Sequence, residues 1–284
     1  MGVGVGVEPG LGWQGQLELD FEHQAGKTIL SREFMKSPMK VQRPFYPEPA
    51  VCHVVTLHTA GGIVGGDRLS SHIRLHPNAQ ALLTTAAAGK IYRSSGSQSV
   101  QSIHTQVAAG GCLEWLPQES IVFAGAKFQQ DHRVELATDA LWLGWEVVRF
   151  GRTARGERFE TGDWRSRTQV WREGQLLWLD PQFLQGGTAM LDSPHGLGGC
   201  PVVGSFAVVG RAVPAGLLQE ARQSWGDRPQ PDARATAGVS QLMAGMICRY
   251  RGHSSHEARR WFTQVWHAVR ATLLHREPCL PRVW

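Results

Sequence analysis

The side chain with the clearest potential for chemistry is Glu146, a carboxylate inside an apolar pattern. Residues 141–150 alternate with the period of two that is typical of a strand, which places Glu146 on one face with apolar side chains such as Phe150. A buried carboxylate without a partner would destabilise the fold by several kcal/mol. Two interpretations stay open: a structural ion pair with a nearby arginine such as Arg149 or Arg152, or a polar passage lined by oxygen ligands.

Two further carboxylates are candidates for such a passage. Asp67 ends a glycine-rich loop, and Glu119 lies in the segment Leu-Pro-Gln-Glu-Ser. A divalent metal ion in transit needs ligands that exchange, and carboxylate or imidazole groups release such an ion more readily than thiolates do. We therefore expect Asp67, Glu119 and Glu146 to line a route for a transiently bound metal ion.

The cysteines and histidines give a weaker signal. The five cysteines are widely scattered, and an odd number without close spacing argues against a disulfide framework and against a zinc site. They fit a reducing cytoplasm, where cysteine packs as a small apolar residue. Among the twelve histidines, His53 and His58 could gather with Cys52, but a dedicated, tight metal site is not the favoured interpretation.

A glycine-rich loop follows the apolar run 50–57. Its glycines, Gly61, Gly62, Gly65 and Gly66, are costly to order, so they indicate places where the backbone takes positive φ or closely approaches another surface. The loop does not match a phosphate-binding loop, because it lacks the G-x-G-x-x-G pattern and is followed by strand-like alternation instead of a helix. We expect a loop with a specific structural role.

The sequence contains no recognisable hydrolase pattern. It has no G-x-S-x-G nucleophile elbow, and none of its cysteines has the local signature of a catalytic thiol. A protein without catalytic activity is therefore the favoured interpretation. An enzyme with an unrecognised site remains an alternative, which turnover by the purified chain would reveal.

Short strands dominate the pattern that must position these side chains. Residues 127–137 alternate most clearly, with apolar side chains such as Phe128, Val134 and Leu136 on one face and charged ones on the other. Further strands are predicted at 14–21, 26–33, 50–57, 68–76, 79–86, 98–108, 141–150, 166–172, 175–180, 201–212 and 237–250. The dipeptide Glu-Gly after residue 172 is typical of a two-residue hairpin turn.

Many short strands separated by glycine and proline predict a mainly β fold. The spacing alone does not separate a sandwich from a β-helix. Two helices are predicted near the C-terminus, at about 214–225 and about 254–276, and the second begins with a Ser-x-x-Glu capping box. Because no linker divides the chain, we expect a flexible tail at 1–12 and a single domain at 13–284.

The second predicted helix carries a wide apolar stripe. The stripe includes Trp261, Phe262, Val265, Trp266 and Val269. These side chains could pack only on the β body, or they could also contact a partner protein, since helices with two apolar faces often do so. Partner docking is the favoured interpretation.

Charge and hydropathy limit the classes of partner. A net charge of +5 and a pI near 9.2 permit an acidic partner, but no basic cluster with interleaved aromatic residues indicates nucleic-acid binding. The chain has no apolar run of roughly 18 residues that would predict a membrane span, and its first residues lack a secretion signal. We expect a cytoplasmic protein that binds neither nucleic acid nor membranes.

Five longer blocks follow one another along most of the chain. They are HTAGGIVGGDRL at 58–69, TTAAAGKIYRS at 84–94, LEWLPQESIVFAGAKF at 113–128, WEVVRFGRTARGERF at 145–159 and GTAMLDSPHGLGG at 187–199. In this order and at this spacing they resemble the urease accessory protein D (UreD) family, called H (UreH) in some bacteria.

The resemblance implies an irregular β-helical body, which decides between the two β architectures. It also implies a cytoplasmic nickel-insertion factor that bridges apo-urease and the accessory proteins F and G, with protein F docking on the C-terminal region, and it permits a self-dimer through that complex. Transient Ni²⁺ binding, no tightly bound cofactor and no enzymatic activity follow from the same resemblance. The main alternative is a purely structural clamp on apo-urease that never contacts the metal.

Overall fold

The computed structural model describes residues 12–226 and 233–284, and about 49 % of it is strand and 14 % helix. The prediction of a mainly β fold with two helices near the C-terminus is therefore confirmed. Apart from Gly12, the tail predicted at 1–12 lies outside the described residues.

Seventeen strands form in the described residues, and most match the predicted segments within a few positions. In chain order they are β1 (Gln14–Gln24), β2 (Lys27–Lys36), β3 (Met39–Val41), β4 (Val51–His58), β5 (Arg68–Leu75), β6 (Gln80–Thr85), β7 (Gly89–Ile91), β8 (Ser99–Val107), β9 (Cys112–Trp115), β10 (Ser120–Val122), β11 (Lys127–Leu136), β12 (Leu141–Phe150), β13 (Asp163–Arg172), β14 (Gln175–Gln185), β15 (Val202–Val209), β16 (Thr236–Leu242) and β17 (Gly245–Gly252). The single strand predicted at 237–250 is wrong, because a turn at Met243 and Ala244 divides it into β16 and β17. Strands β3, β7, β9 and β10 escape prediction, since three or four residues are too few to show a period.

The central strands wind as a coil between two sheets. Strands that follow one another along the chain alternate between a seven-stranded sheet, ordered β14-β13-β11-β8-β5-β1-β2, and a ten-stranded sheet, whose main path is β16-β17-β15-β12-β9-β6-β4-β3. Strands β5, β8, β11 and β13 pair in parallel in the first sheet, as β4, β6, β9 and β12 do in the second. This stacked arrangement is solenoid-like, so the β-helical expectation is confirmed.

Antiparallel strands close the ends of the coil. In the seven-stranded sheet, β2 pairs with β1 at one edge and β14 pairs with β13 at the other. The predicted turn between β13 and β14 forms at Glu173 and Gly174, both with positive φ. In the ten-stranded sheet, β15, β17 and β16 extend the coil beyond β12 in antiparallel order.

Apolar side chains fill two separate layers. Between the sheets, the inward strand faces form one cluster around Leu19, Ile73 and Trp142 and a second around Phe128 and Phe150. A third cluster lies on the other face of the ten-stranded sheet, beneath the helices. The ten-stranded sheet is therefore buried on both faces.

Two helices cover that outer face: α1 (Ala215–Gly226) and α2 (Ser255–Val269). At the start of α2, Ser254 Oγ accepts a hydrogen bond of 3.1 Å from the Glu257 N–H, as the capping pattern predicts. The Glu257 carboxylate accepts from the Tyr250 hydroxyl at 2.9 Å, and that hydroxyl oxygen accepts from the Ser254 N–H at 3.4 Å. A tyrosine thus mediates the second half of the capping box.

The last helix is shorter than predicted. Its α-helical part ends at Val269, and a wider π-helical turn follows at Arg270–Leu274. Arg270 is fully buried in this turn and bonds to Glu48 and Glu114, so a charged group occupies a place that the amphipathic pattern does not anticipate. No helix in the described residues is long and apolar enough to cross a membrane.

Candidate functional site

Polar side chains interrupt the apolar interior at the same level on both sheets. They form what we call the facing polar rows, which are Gln130, Ser166 and Gln182 at paired positions of β11, β13 and β14, and Glu146, Ser205 and Arg249 at paired positions of β12, β15 and β17. Along β11, Phe128 belongs to one apolar cluster and Val134 to the other, with the polar level between them. Strand register therefore brings six distant segments into one polar layer.

Glu146 is held across this layer by neutral donors. Gln130 Nε2 donates to its Oε1 at 2.8 Å, and Ser166 Oγ lies 2.9 Å from its Oε2. Burial, together with the charge of Asp180, outweighs these hydrogen bonds and raises the pKa of the Glu146 carboxyl to about 7. Its charge therefore changes near neutral pH, unlike that of an ordinary glutamate.

The ion pair with Arg149 or Arg152, one of the two interpretations of Glu146 left open by the sequence, does not form. Arg149 donates to Thr153 Oγ1 at 2.7 Å, and Arg152 pairs with Glu157. The physical reason for Arg149 is the strand period, since residues three apart point to opposite faces. Glu146 instead accepts hydrogen bonds from the neutral side chains of Gln130 and Ser166, and Arg249 acts on it only through its charge.

A second carboxylate, Asp180 on β14, lies beside the facing polar rows. Arg249 donates to its two oxygens at 2.6 and 2.8 Å and to the Ser205 hydroxyl at 2.5 Å. Gln182 Nε2 adds a hydrogen bond to Asp180 at 3.0 Å. The sequence contains no local signal for this pair, because Asp180 and Arg249 are 69 positions apart and belong to different sheets.

Three residues of the facing polar rows, Gln130, Glu146 and Ser205, line a cavity of about 310 Å³ between the sheets. The polar residues in its lining include Gln130, Glu146, Asp180 and Ser205, and no cysteine is among the described residues that line it. In general, carboxylate oxygens bind divalent cations without the tight hold of a thiolate. Much of the rest of the lining is apolar, including Ile63, Phe128 and Trp142.

His132 supplies a neutral part of the lining. Its ring packs edge-on against Trp115 and Trp142, with centroids 5.6 Å apart in both cases, and its Nε2 lies 3.0 Å from Thr105 Oγ1. Burial lowers the pKa of this imidazole to about 3. It consequently adds no positive charge that would repel a cation.

His58 lines the same cavity beside the glycine loop. Both of its ring nitrogens are buried, and neither has a hydrogen-bond partner among the described residues. Burial lowers the pKa of the ring, although the charge of Asp67 opposes this shift. The ring offers a lone pair to the cavity, but it does not gather with His53, which points to the opposite face of β4.

The glycine loop takes conformations that other residues resist. Gly61, Gly62 and Gly66 have positive φ, at 76°, 149° and 95°. Gly65 does not, but a Cβ there would lie 2.3 Å from Ser94 Oγ. Both demands named for the loop, positive φ and close approach, occur in it, and Gly61 and Gly62 form part of the cavity lining.

Asp67 holds this loop in place and does not line the cavity. Its Oδ1 accepts from the Trp13 N–H at 2.8 Å and its Oδ2 from the Val64 N–H at 2.9 Å. The side chain is fully buried. Because backbone donors engage both oxygens, the position of Asp67 does not support its expected role as a ligand of the metal route.

Glu119 also lies away from the cavity. Its carboxylate pairs with Arg259 at 3.1 Å and lies 3.5 Å from Ser255 Oγ, and both of these residues belong to α2. Glu119 therefore ties the segment before β10 to the first turns of the helix. Of the three carboxylates expected to line a metal route, Glu146 alone faces the cavity.

The apolar stripe of α2 lies inside the molecule. Its members Trp261, Phe262, Val265, Trp266 and Val269 are each at most 1 % exposed. They pack with α1 and against the outer face of the ten-stranded sheet. The expectation that this stripe is a docking surface for protein F is wrong, because the chain's own core already covers these side chains.

The fold and the site define a solenoid-like β protein with a cavity between its sheets that two carboxylates, Glu146 and Asp180, help to line. The sequence model of the family described as UreD urease accessory protein matches residues 14–284. The chain is 54 % identical over 274 residues to the urease accessory protein UreD of Nostoc punctiforme, covering 96 % of both chains. It is 53 % identical over 278 residues to that of Trichormus variabilis, covering 98 % of both. The chain therefore belongs to the UreD family of urease accessory proteins, as its sequence blocks indicate.

More divergent relatives also match over nearly their whole length. The urease accessory protein UreD of a Janthinobacterium species is 40 % identical over 272 residues, which are 95 % of this chain and 91 % of the relative. The family assignment thus extends across the whole described β body and both helices.

Proposed function

We propose that the chain is a urease maturation factor that bridges apo-urease and the accessory proteins F and G in the cytoplasm and passes Ni²⁺ towards the urease active site. Membership of the UreD family and the names of its relatives support the role in urease maturation. Ni²⁺ is cargo in this proposal, so the chain needs neither a tightly bound cofactor nor a catalytic centre.

The cavity between the sheets is the observation that carries the nickel part of the proposal. A cation inside it would meet the carboxylates of Glu146 and Asp180 and the imidazoles of His58 and His132. These ligands bind Ni²⁺ less tightly than thiolates do, so an ion can enter and leave.

Protonation of Glu146 would control the charge that the ion encounters. While Glu146 is protonated, Arg249 and the adjacent Asp180 neutralise each other. Loss of the Glu146 proton leaves one net negative charge there, which attracts a divalent cation. Ni²⁺ therefore competes with a proton, and we expect faster passage above pH 7 than below it.

Glu146→Gln tests this route, because glutamine keeps the shape of the side chain but cannot become an anion. Asp131→Asn is the matched control: Asp131 follows Gln130 on β11 but points to the outer face, where it pairs with Arg167 at 2.7 Å. We expect both variants to co-purify with apo-urease and proteins F and G in wild-type yield. Only Glu146→Gln should lower the nickel content of activated urease.

The outcomes separate the candidate functions. Normally loaded urease with Glu146→Gln would remove Glu146 from the route. If urease is loaded with nickel normally in the presence of each single variant, Glu146→Gln and Asp180→Asn, the structural clamp that does not contact the metal would be favoured. A merely destabilised variant is recognisable, because complex yield and nickel content would then fall together.

A further inference from the structure

A second group of metal-ligating side chains lies on the opposite side of the ten-stranded sheet from the cavity. Glu48, His53 and Cys279 each offer one ligand atom, and these atoms lie within 4.8 Å of one another. His53 is buried, whereas Glu48 and Cys279 are half-buried. Oxygen, nitrogen and sulfur donors thus meet at the boundary between the core and solvent.

Three parts of the chain bring this group together, and each is fixed independently of it. Phe45 and His53 exchange two backbone hydrogen bonds of 2.9 Å, which close the loop that carries Glu48. Cys279 follows α2, in a segment to which Arg270 donates a hydrogen bond of 2.8 Å at a backbone carbonyl. The three donors are therefore held near one another by the fold itself.

The charges around Cys279 match a divalent cation. Glu48 lies 2.7 Å from His53 Nε2 and accepts from Arg270 at 2.6 Å, and Arg270 also donates to Glu114 at 3.2 Å. The charged groups that act on Cys279 are Glu48, Glu114 and Arg270. With Cys279 as a thiolate, these four groups carry two net negative charges, which one divalent cation balances.

We propose that Glu48, His53 and Cys279 bind one divalent cation of the borderline class, Zn²⁺ or Ni²⁺, at a site separate from the cavity. A ligand set with thiolate and imidazole selects such ions over Mg²⁺ and Ca²⁺, which prefer oxygen ligands. On binding, the Cys279 thiol releases its proton to water. The proton on His53 Nε2, which bonds to Glu48, is exchanged through solvent for one on Nδ1, so that Nε2 has a free lone pair to coordinate the ion.

The site differs in kind from the route through the cavity. Metal–nitrogen and metal–sulfur bonds of about 2.0 and 2.3 Å require the group to contract by about 1 Å, which the half-buried Cys279 permits. The thiolate favours retention of the ion over transit. A bound ion would fasten the segment after α2 to β4, and a fourth coordination position would stay open for water.

Alkylation of Cys279 in the full chain tests the proposal. The other four cysteines are buried, so a small thiol reagent modifies Cys279 first, and mass spectrometry locates the label. We expect equimolar Zn²⁺ or Ni²⁺ to abolish most of this modification and Mg²⁺ to leave its rate unchanged. Co²⁺, as a coloured substitute, should give a thiolate-to-metal charge-transfer band.

Variants assign the ligands. His53→Gln should remove the protection of Cys279, whereas His76→Gln, at an exposed histidine, should keep it. Glu146→Gln should also keep it, so failure of this site and failure of nickel passage are distinguishable. A variant whose buried cysteines stay unreactive is folded. If His53→Gln does not fold, Glu48→Gln replaces it, and Cys279 should lose its protection in that variant too.

Two results would overturn the proposal. One is unchanged alkylation of the wild-type chain in the presence of both Zn²⁺ and Ni²⁺. The other is full protection of Cys279 in both His53→Gln and Glu48→Gln, which would place the ion on other groups.

Discussion

Ser166 Oγ on the seven-stranded sheet lies 3.1 Å from Oε1 and 2.9 Å from Oε2 of Glu146 on the ten-stranded sheet. Gln130 also reaches Glu146 from the seven-stranded sheet, and apolar clusters fill the interior on either side of this polar level. The hydroxyl has one proton and donates to one oxygen at a time, so it compensates only part of the cost of burying the charged carboxylate. Glu146 therefore holds its proton to a higher pH than an ordinary glutamate does.

The stability of the protein should depend on pH through Glu146. Its pKa is raised from 4.5 to about 7 in the folded chain, so the folded state binds more protons than the unfolded state between these values. This contribution to stability is complete below pH 4.5 and is lost as the pH rises through 7. The free energy of unfolding of the wild-type protein should fall by about 2–3 kcal/mol between pH 5 and pH 8 because of this group. Glu146→Gln should abolish that fall.

Urea unfolding at the two pH values measures this difference. Asp131→Asn, on the outer face of β11, should retain the pH dependence of the wild-type protein. Identical pH profiles for the wild type and Glu146→Gln would mean that Glu146 titrates alike in the folded and unfolded chains.

Gly61 and Gly62 should respond differently to alanine. Both have positive φ, but a Cβ at Gly62 would lie 2.5 Å from the Tyr92 ring and 2.8 Å from the Lys90 carbonyl oxygen, whereas nothing lies within 4 Å of one at Gly61. Gly61→Ala should cost about 1–2 kcal/mol from backbone strain alone, and Gly62→Ala should cost clearly more. Equal urea midpoints for the two variants would contradict the close packing of the loop.

Trp261→Ala should destabilise the protein by about 3–5 kcal/mol, because it removes a large buried side chain. The indole is 1 % exposed and donates to Ser224 Oγ at 3.1 Å. Met243→Ala, at a side chain that is 84 % exposed, is the control and should change stability by less than about 0.5 kcal/mol. If Trp261→Ala were as stable as the wild type and lost only the binding of protein F, the helix stripe would be a docking surface after all.

The strands are predictable from the sequence because their patterns are local. Strand β11 ends one residue before the predicted bound, and β12 matches its bounds fully. The start of α2 is equally local, since Ser254 and Glu257 cap it within four residues. The apolar stripe of α2 is visible for the same reason, but the surface that covers it is not, because that surface comes from distant strands.

The site is predictable only where one strand contains the whole signal. Glu146 stands out because a carboxylate interrupts an apolar alternation within β12 itself. Asp180 and Arg249 do not, since their contact depends on how the two sheets face each other. Likewise, Asp67 ends a conspicuous loop, yet only the fold shows that backbone donors occupy both of its oxygens.

The central claim is that Ni²⁺ can occupy the cavity beside Glu146. Anomalous X-ray scattering at the nickel absorption edge, from crystals of the chain equilibrated with Ni²⁺ at pH 8, would locate the ion directly. Glu146 is mostly ionised at that pH, because its pKa is about 7. We predict an anomalous peak in the cavity beside Glu146 of the wild-type protein and none there in Glu146→Gln. Nickel found only at surface histidines or at the Glu48, His53 and Cys279 group, with none in the wild-type cavity, would contradict the claim.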